Sequence, residues 1–179
     1  MDDFALALDT ETTALMKNRA MRLDKQPEIF EFYSALFNMN SGEIVDEYST
    51  MIRTTKALPD EVVKITGVMD KDLTGAPPFS AVAPEIKRRI EAAPLIIAHN
   101  ASYDQEVIDI EFERLGQKVE WRQLLCTVEC TVHIFGFRLS LSALHEHLFG
   151  APFAGAHRAS EDTQALIRCV VELRKRGEV

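Results

Sequence analysis

Asp9 and Glu11 stand two residues apart at the end of the apolar run Phe4–Leu8 (FALAL), which reads as a buried strand. Side chains at i and i+2 of a strand share a face, so the two carboxylates converge. Convergent carboxylates repel and destabilise the fold unless a cation joins them. Hard oxygen ligands in that arrangement suit Mg²⁺ or Mn²⁺. The pattern alone is weak, because a chain this acidic contains on the order of one D-x-E by chance. A second copy, Asp109-Ile110-Glu111, falls inside a predicted helix, where i and i+2 diverge, and it reads as solvated surface.

Two more acids stand where a strand or a loop meets a helix. In His99-Asn100-Ala101-Ser102-Tyr103-Asp104 an apolar strand runs straight into a helix, placing Asp104 near its first turn. The positive end of the helix dipole explains an isolated Asp there. The strand before it is so apolar, however, that it belongs centrally, next to the strand of Asp9. In His157-Arg158-Ala159-Ser160-Glu161-Asp162, Ser160 is a candidate cap that puts Asp162 in the first turn of the last helix. Capping does not explain the His five residues earlier, after the loop Gly150–Ala156. An imidazole is suited to take a proton from water, which makes His157 the candidate base.

The elements that must position these groups follow from pattern. Ile29–Leu36 and Glu43–Ile52, joined by turn chemistry at Met39-Asn40-Ser41-Gly42, predict a hairpin that makes an antiparallel meander with the first strand. Pro59 opens a short helix stopped by Thr66-Gly67. Phe79–Glu91 has helical periodicity, and Leu95–Ala98 is a compact strand. Asn100 is a candidate N-cap for a helix over Ala101–Leu115 that Gly116 closes. Trp121–Cys126 reads as a last strand, followed by helices near Thr127–Ile134, Ser140–Leu148 and Ala159–Arg176. Strands first, then strand–helix alternation, imply an α/β fold: a mixed central sheet, antiparallel then parallel, flanked by helices.

At 179 residues and 46% hydrophobic, the chain is expected to be one domain, 1–179, with a proper core. Its net charge of −8 argues against broad contact with a nucleic-acid backbone, but not against a grip on a few nucleotides at a strand end. Cys126, Cys130 and Cys169 match no zinc pattern and read as reduced thiols. Residues 1–20 carry early acids and no secretion signal. No run approaches the ~18 apolar residues of a membrane span. A cytoplasmic protein with no membrane partner is expected.

In order, Asp9-x-Glu11, Asp104 after His99-Asn100, and His157-x-x-x-x-Asp162 resemble the DEDDh group of DnaQ-like exonucleases, which includes the proofreading subunit or domain of replicative polymerases. The phrases DTETT, ITGV (65–68), APPFS (76–80), AHNASYD (98–104) and AHRASEDT (156–163) carry the likeness across about residues 4–172. The resemblance implies an RNase H-like fold and a 3'→5' exonuclease that releases nucleoside 5'-monophosphates. It implies two Mg²⁺ or Mn²⁺ ions held by Asp9, Glu11, Asp104 and Asp162, with Asp9 bridging both and His157 as general base. Thr12, Thr13 and Leu15 would flank the terminal nucleotide, Ile65 and Thr66 would border its base or sugar, and Tyr103 would pack on it. His99 and Asn100 would orient that wall.

Single-stranded or frayed DNA is the expected substrate, with RNA trimming by the same chemistry as the alternative and a non-catalytic binding module as a further one. A polymerase is an expected partner class. The chain departs from the family at Ala14, where a Gly is usual, and in the basic stretch Met16–Gln26, which reads as a mobile loop adding positive charge near the site. It also ends soon after the last helix, which implies a standalone enzyme or a different docking mode. His145 and His147 diverge on a helix and make a poor metal pair. Lys87-Arg88-Arg89 and Arg174-Lys175-Arg176 read as solvated faces, and Trp121 as a core or rim residue.

Overall fold

A computed structural model describes residues 3–179; the first two residues of the expected domain lie outside the described residues. Strand β1 (Phe4–Thr12) runs beside β2 (Ile29–Asn38), which pairs with β3 (Ile44–Met51). Both pairings are antiparallel, and β1 pairs on its other edge with β4 (Leu95–Ala98) in parallel. Strand β5 (Gln123–Cys126) extends the parallel half, giving the order β3-β2-β1-β4-β5. The sheet is therefore mixed, with the expected meander first and parallel strands after it. Helices α1 (Asp60–Thr66), α2 (Asp70–Leu73) and α3 (Phe79–Ala92) precede β4. Helix α4 (Ala101–Arg114) follows β4; α5 (Thr127–Phe135), α6 (Leu141–Phe149) and α7 (Ala159–Lys175) follow β5. Among the described residues, no helix is long and apolar enough to cross a membrane.

The period-2 alternation of β1 sorts its side chains between two cores. Ala5 and Ala7 face α6 and α7, in one cluster with Tyr33, Ala35, Phe37 and Ile97. Leu6 and Leu8 face α3 and α4, in a second cluster with Phe32, Ile86, Ile96 and Phe112. Small residues on one face let α7 approach the sheet closely, while the other face is filled with bulk. Strand β1 continues past Leu8 through both acids to Thr12, so the same alternation governs Asp9, Thr10 and Glu11.

Several local expectations are corrected. Asn100 stands at the N-terminus of α4, but its side chain caps nothing; its backbone is left-handed (φ 68°) and its Oδ1 accepts from Arg138. Arg158, not Ser160, precedes α7, and Ser160 instead bonds Glu161. Glu111 is buried, accepts from Ile29 N at 3.0 Å and pairs with Arg114 at 2.8 Å, so the second D-x-E is not solvated surface. Its Asp109 accepts from Trp121 Nε1 at 2.8 Å, which makes Trp121 a rim residue. Arg89 is also buried, paired with Asp46 and Glu85.

The basic stretch 16–26 is an ordered loop. The buried amide of Gln26 points at the carbonyls of Asn18, Arg19 and Met21. From outside the loop, Arg114 Nη2 donates to the carbonyls of Leu23, Gln26 and Pro27 at 2.9–3.0 Å. Charge-assisted bonds of this kind are the stronger ones. A turn of 3₁₀ helix at Leu23–Lys25 completes it.

Because Ala7 is fully buried on the face that receives α7, Ala7→Leu is expected to destabilise the protein by about 1–3 kcal/mol through overpacking. Urea melts of the variant and the parent measure this; an unchanged midpoint would show that the α7 face has room to spare.

Candidate active site

Alternation along β1 delivers its polar end to two different helices. Asp9 and Glu11 lie on the Ala5–Ala7 face and meet Asp162, in the first turn of α7. Among the described residues, these three form the one group of acids able to hold a metal ion, with a carboxylate oxygen from each within 4.8 Å of the others. Thr10 points the other way, and its Oγ1 donates to Asp104 Oδ1 at 2.8 Å. Asp104 is buried in the first turn of α4. It neighbours Asp9 electrostatically without entering the three-acid group.

Crowding and burial raise the proton affinity of all four acids. Burial first, then the charges of Asp104, Asp162 and Glu11, pushes Asp9 well above the usual carboxylate range. Burial raises Glu11 to about 8, reinforced by Asp162, Glu31 and Asp104 and opposed by Arg158. Asp104 rises to about 7 by burial, against the hydrogen bonds from Thr10. Asp162 rises to about 6, also by burial, against the backbone N–H of His157. A cluster whose members all resist ionisation, held by oxygen donors alone, fits a hard divalent cation.

The sequence reading missed Glu31. It stands opposite Glu11 in the β1–β2 register, is buried, and receives a two-pronged guanidinium from Arg158, with Nε–Oε2 at 3.0 Å and Nη2–Oε1 at 3.1 Å. An acid in the middle of the apolar run IFEFYSAL was the available signal: a buried carboxylate needs a partner. The pair ties the start of α7 to the strand beside β1, and so fixes Asp162 relative to Asp9 and Glu11.

His157 is exposed on the loop before α7, with a left-handed backbone (φ 71°). Its N–H donates to Asp162 Oδ2 at 2.9 Å. Gly155 is also left-handed (φ 78°), and a Cβ there would stand 2.9 Å from Glu161 Cγ. The turn that presents His157 thus needs glycine. The residues Asp9, His99, Ser140, Phe153, His157 and Asp162 line a cleft of about 310 Å³.

The expected substrate wall divides into exposed and engaged residues. Leu15 and Ile65 are 80% and 56% exposed. Tyr103 Oη bonds the Thr12 hydroxyl and donates to the Ala14 carbonyl at 3.0 Å, closing β1 onto α4. Thr13 is buried, and its Oγ1 accepts from Glu28 N at 3.0 Å. Thr66 Oγ1 donates to the Val62 carbonyl at 2.9 Å within α1. His99 lines the cleft, but its two ring nitrogens reach Thr127 Oγ1 and the Leu139 carbonyl at 2.8 and 3.1 Å. Burial lowers its pKa to about 4, so it is a neutral strut between α5 and the segment before α6. Asn100 is held by Arg138 beside it.

Comparison with known proteins adds three findings. The Exonuclease (RNase_T) family model matches residues 6–170. A PolC-type DNA polymerase III of Staphylococcus epidermidis is 29% identical over 178 residues, covering 96% of this chain and 12% of that protein. The chain thus spans about 12% of the length of the curated relatives it matches. Two solved structures share the fold. The nuclease domain of 3'hExo, described as a DEDDh family member bound to rAMP, matches with a TM-score of 0.79 and 17% identity, covering 98% of this chain and 93% of that one. Exonuclease X, in complex with 5' overhanging duplex DNA, matches with a TM-score of 0.67 and 20% identity, covering 96% and 92%.

Carboxyls with raised folded-state pKa values bind protons more tightly folded than unfolded. Their contribution favours folding at acid pH and is lost as pH rises through about 6 to 8. Metal-free protein should therefore melt at falling temperature from about pH 5 to pH 8 by this linkage. Mg²⁺ at a hundred times its Kd should restore about 2.7 kcal/mol, with a gain that grows toward pH 8. Thermal melts in EDTA and in Mg²⁺ across that range check it; a metal-induced gain independent of pH would contradict the linkage.

Proposed function

The chain belongs to the Exonuclease family, in its DEDDh, DnaQ-like group, and on that footing we propose that residues 1–179 act as a single 3'→5' exonuclease domain on single-stranded or frayed DNA ends. The observation that carries this reading is the convergence of Asp9, Glu11 and Asp162 within 4.8 Å, with Asp104 and an exposed His157 at the same end of the sheet. Composition alone left a nuclease open; this cluster gives it a centre.

Asp9, Glu11, Asp104 and Asp162 would hold two divalent cations, Mg²⁺ or Mn²⁺. When bound, such cations supply Lewis-acid stabilisation of the charge that develops on phosphodiester oxygens. His157, at the mouth of the cleft, accepts the proton of the attacking water as the new O–P bond forms. The P–O3' bond breaks on the opposite side, and the departing 3' oxygen takes a proton from solvent water, so a nucleoside 5'-monophosphate leaves and the shortened strand keeps a free 3'-hydroxyl. The bond from His157 N to Asp162 Oδ2 ties the backbone of the base to one of the acids. Arg158 pairs with Glu31, and its positive charge offsets a fifth carboxylate beside the scissile phosphate.

Exposed Leu15 and Ile65 offer apolar surface to the terminal base or sugar, and Tyr103 braces that wall through Thr12. Apolar and stacking contacts tolerate any base, as trimming requires. The PolC-type relative is a polymerase, which supports a proofreading role beside such a partner.

Asp9→Ala is expected to abolish release of 5'-monophosphates from end-labelled DNA in Mg²⁺, while His157→Ala should lower the rate by about 10²–10⁴ and leave metal binding intact. The same assay run on RNA separates DNA trimming from RNA trimming. Full activity of Asp9→Ala, or no monophosphate from either polymer, would refute the proposed function.

A further inference from the structure

The loop 16–26 carries Lys17, Arg19, Arg22 and Lys25 in a chain of net charge −8, and the fold invests heavily in holding it. Gln26 collects three of the loop's own carbonyls from inside, and Arg114 binds three at its far end. The result is a groove of about 300 Å³ between the loop and Ala57–Pro59, with Lys17, Lys25, Lys56, Leu15 and Met21 on its walls. Among the described residues, no acidic one lines it. Lys56 Nζ is anchored on the Asp24 carbonyl at 2.6 Å, while Asp24's carboxylate is 3.9 Å from Lys25.

A neighbouring hollow of about 450 Å³ shows the contrast. There Arg53, Arg114 and Lys56, which borders both hollows, are matched by Asp24, Glu28 and Glu111. Charge in that hollow is balanced, whereas the groove's Lys17, Lys25 and Lys56 outnumber the Asp24 carboxylate that pairs with Lys25. Exposed cations gathered on one wall of an acidic protein leave a local positive field that attracts a polyanion.

The position of the groove names the polyanion. Thr13, Ala14 and Leu15 line its inner end. Ala14's carbonyl is bound by Thr12 and by Tyr103, next to the acid cluster. A strand whose last nucleotide lies against Leu15 has the groove beside it. We propose that the groove formed by Lys17, Lys25 and Lys56 is a track for the phosphodiester backbone of nucleotides upstream of the 3' end. This rests on the exonuclease reading and extends it: the acid cluster takes the end, and the lysines take the strand behind it. Three ammonium groups suit phosphates as point charges, without base readout.

The test uses fluorescence anisotropy of a labelled thymidine dodecamer and a thymidine dinucleotide in EDTA, where no cleavage occurs. The whole chain should bind the dodecamer more tightly than the dinucleotide. In the triple variant Lys17→Ala, Lys25→Ala, Lys56→Ala, dodecamer affinity should fall roughly tenfold to a hundredfold at low salt, and the log–log salt slope should flatten by about 2, at about 0.7 per lost phosphate contact. The matching triple Lys→Arg variant should keep most of the affinity. Equal affinity for both lengths in the parent, an unchanged salt slope in the alanine variant, or equal loss in the arginine variant would overturn the track. Hydrolysis of thymidine 5'-p-nitrophenyl phosphate by the parent in Mg²⁺ reports on the exonuclease reading by itself. Failure there would refute that reading while the anisotropy still decides the groove.

Discussion

Mutual repulsion among crowded, largely desolvated carboxylates is the constraint around which this fold is arranged. Asp9, Glu11, Asp104 and Asp162 are all driven by burial toward their protonated forms, and each of the β1 pair feels the other acids as well. Without a cation such a cluster pushes apart the elements that carry it. The fold answers with short-range compensations, each tied to a named group. Asp104 accepts from Thr10, Asp162 from the His157 N–H, and Glu31 is matched by Arg158. Asp104 and Asp162 also sit in first helical turns, where the dipole favours negative charge. These measures hold the acids in place but leave the charge of the three-acid group uncompensated, and that remainder is the driving force for cation binding.

Strand β1 is where folding and chemistry meet. Its first half divides small and large side chains between two cores, and its second half uses the same alternation to send Asp9 and Glu11 toward Asp162 of α7 and Thr10 toward Asp104 of α4. Shifting the register by one residue would exchange Ala for Leu beneath α7 and would turn Asp9 and Glu11 away from Asp162. The antiparallel pairing with β2 runs from Phe4 to Thr12 and resists such a slip. The same pairing sets Glu31 beside Glu11, so the strand that locks the register also delivers Arg158's partner.

Much of this was legible in the sequence, and the limits have physical causes. The strands, the mixed sheet and the helix starts at Asp104 and Asp162 follow from apolar periodicity and punctuation, which are local. Helix α2 escaped because four residues carry no period. Glu111 and Arg89 were misread as solvated because pattern reports the face of a helix, whereas burial depends on what another segment lays over it. For Glu111 that segment is the start of β2; for Arg89 it is β3 with Asp46. Asn100 and Ser160 are good capping residues by type, yet Asn100 supplies a left-handed turn and Ser160 lies inside the helix. Glu31 was legible in principle, since an acid centred in IFEFYSAL cannot be buried alone.

The order of the 16–26 loop carries the argument furthest. Read as sequence, its four cations and poor turn chemistry suggested mobility. In the fold, one buried amide and one guanidinium collect the carbonyls that such a segment would otherwise leave to water. Arg114 is itself held by Glu111, so the second D-x-E, set aside as chance, supports the loop from below. An acidic chain that must approach a polyanion gains nothing from spreading cations over its surface, where neighbouring carboxylates cancel them. Concentrating Lys17 and Lys25 on a braced loop beside Leu15, with Lys56 facing them, keeps their field local. It also separates the two kinds of anion the site must manage: carboxylates that need a metal, and phosphates that need only charge.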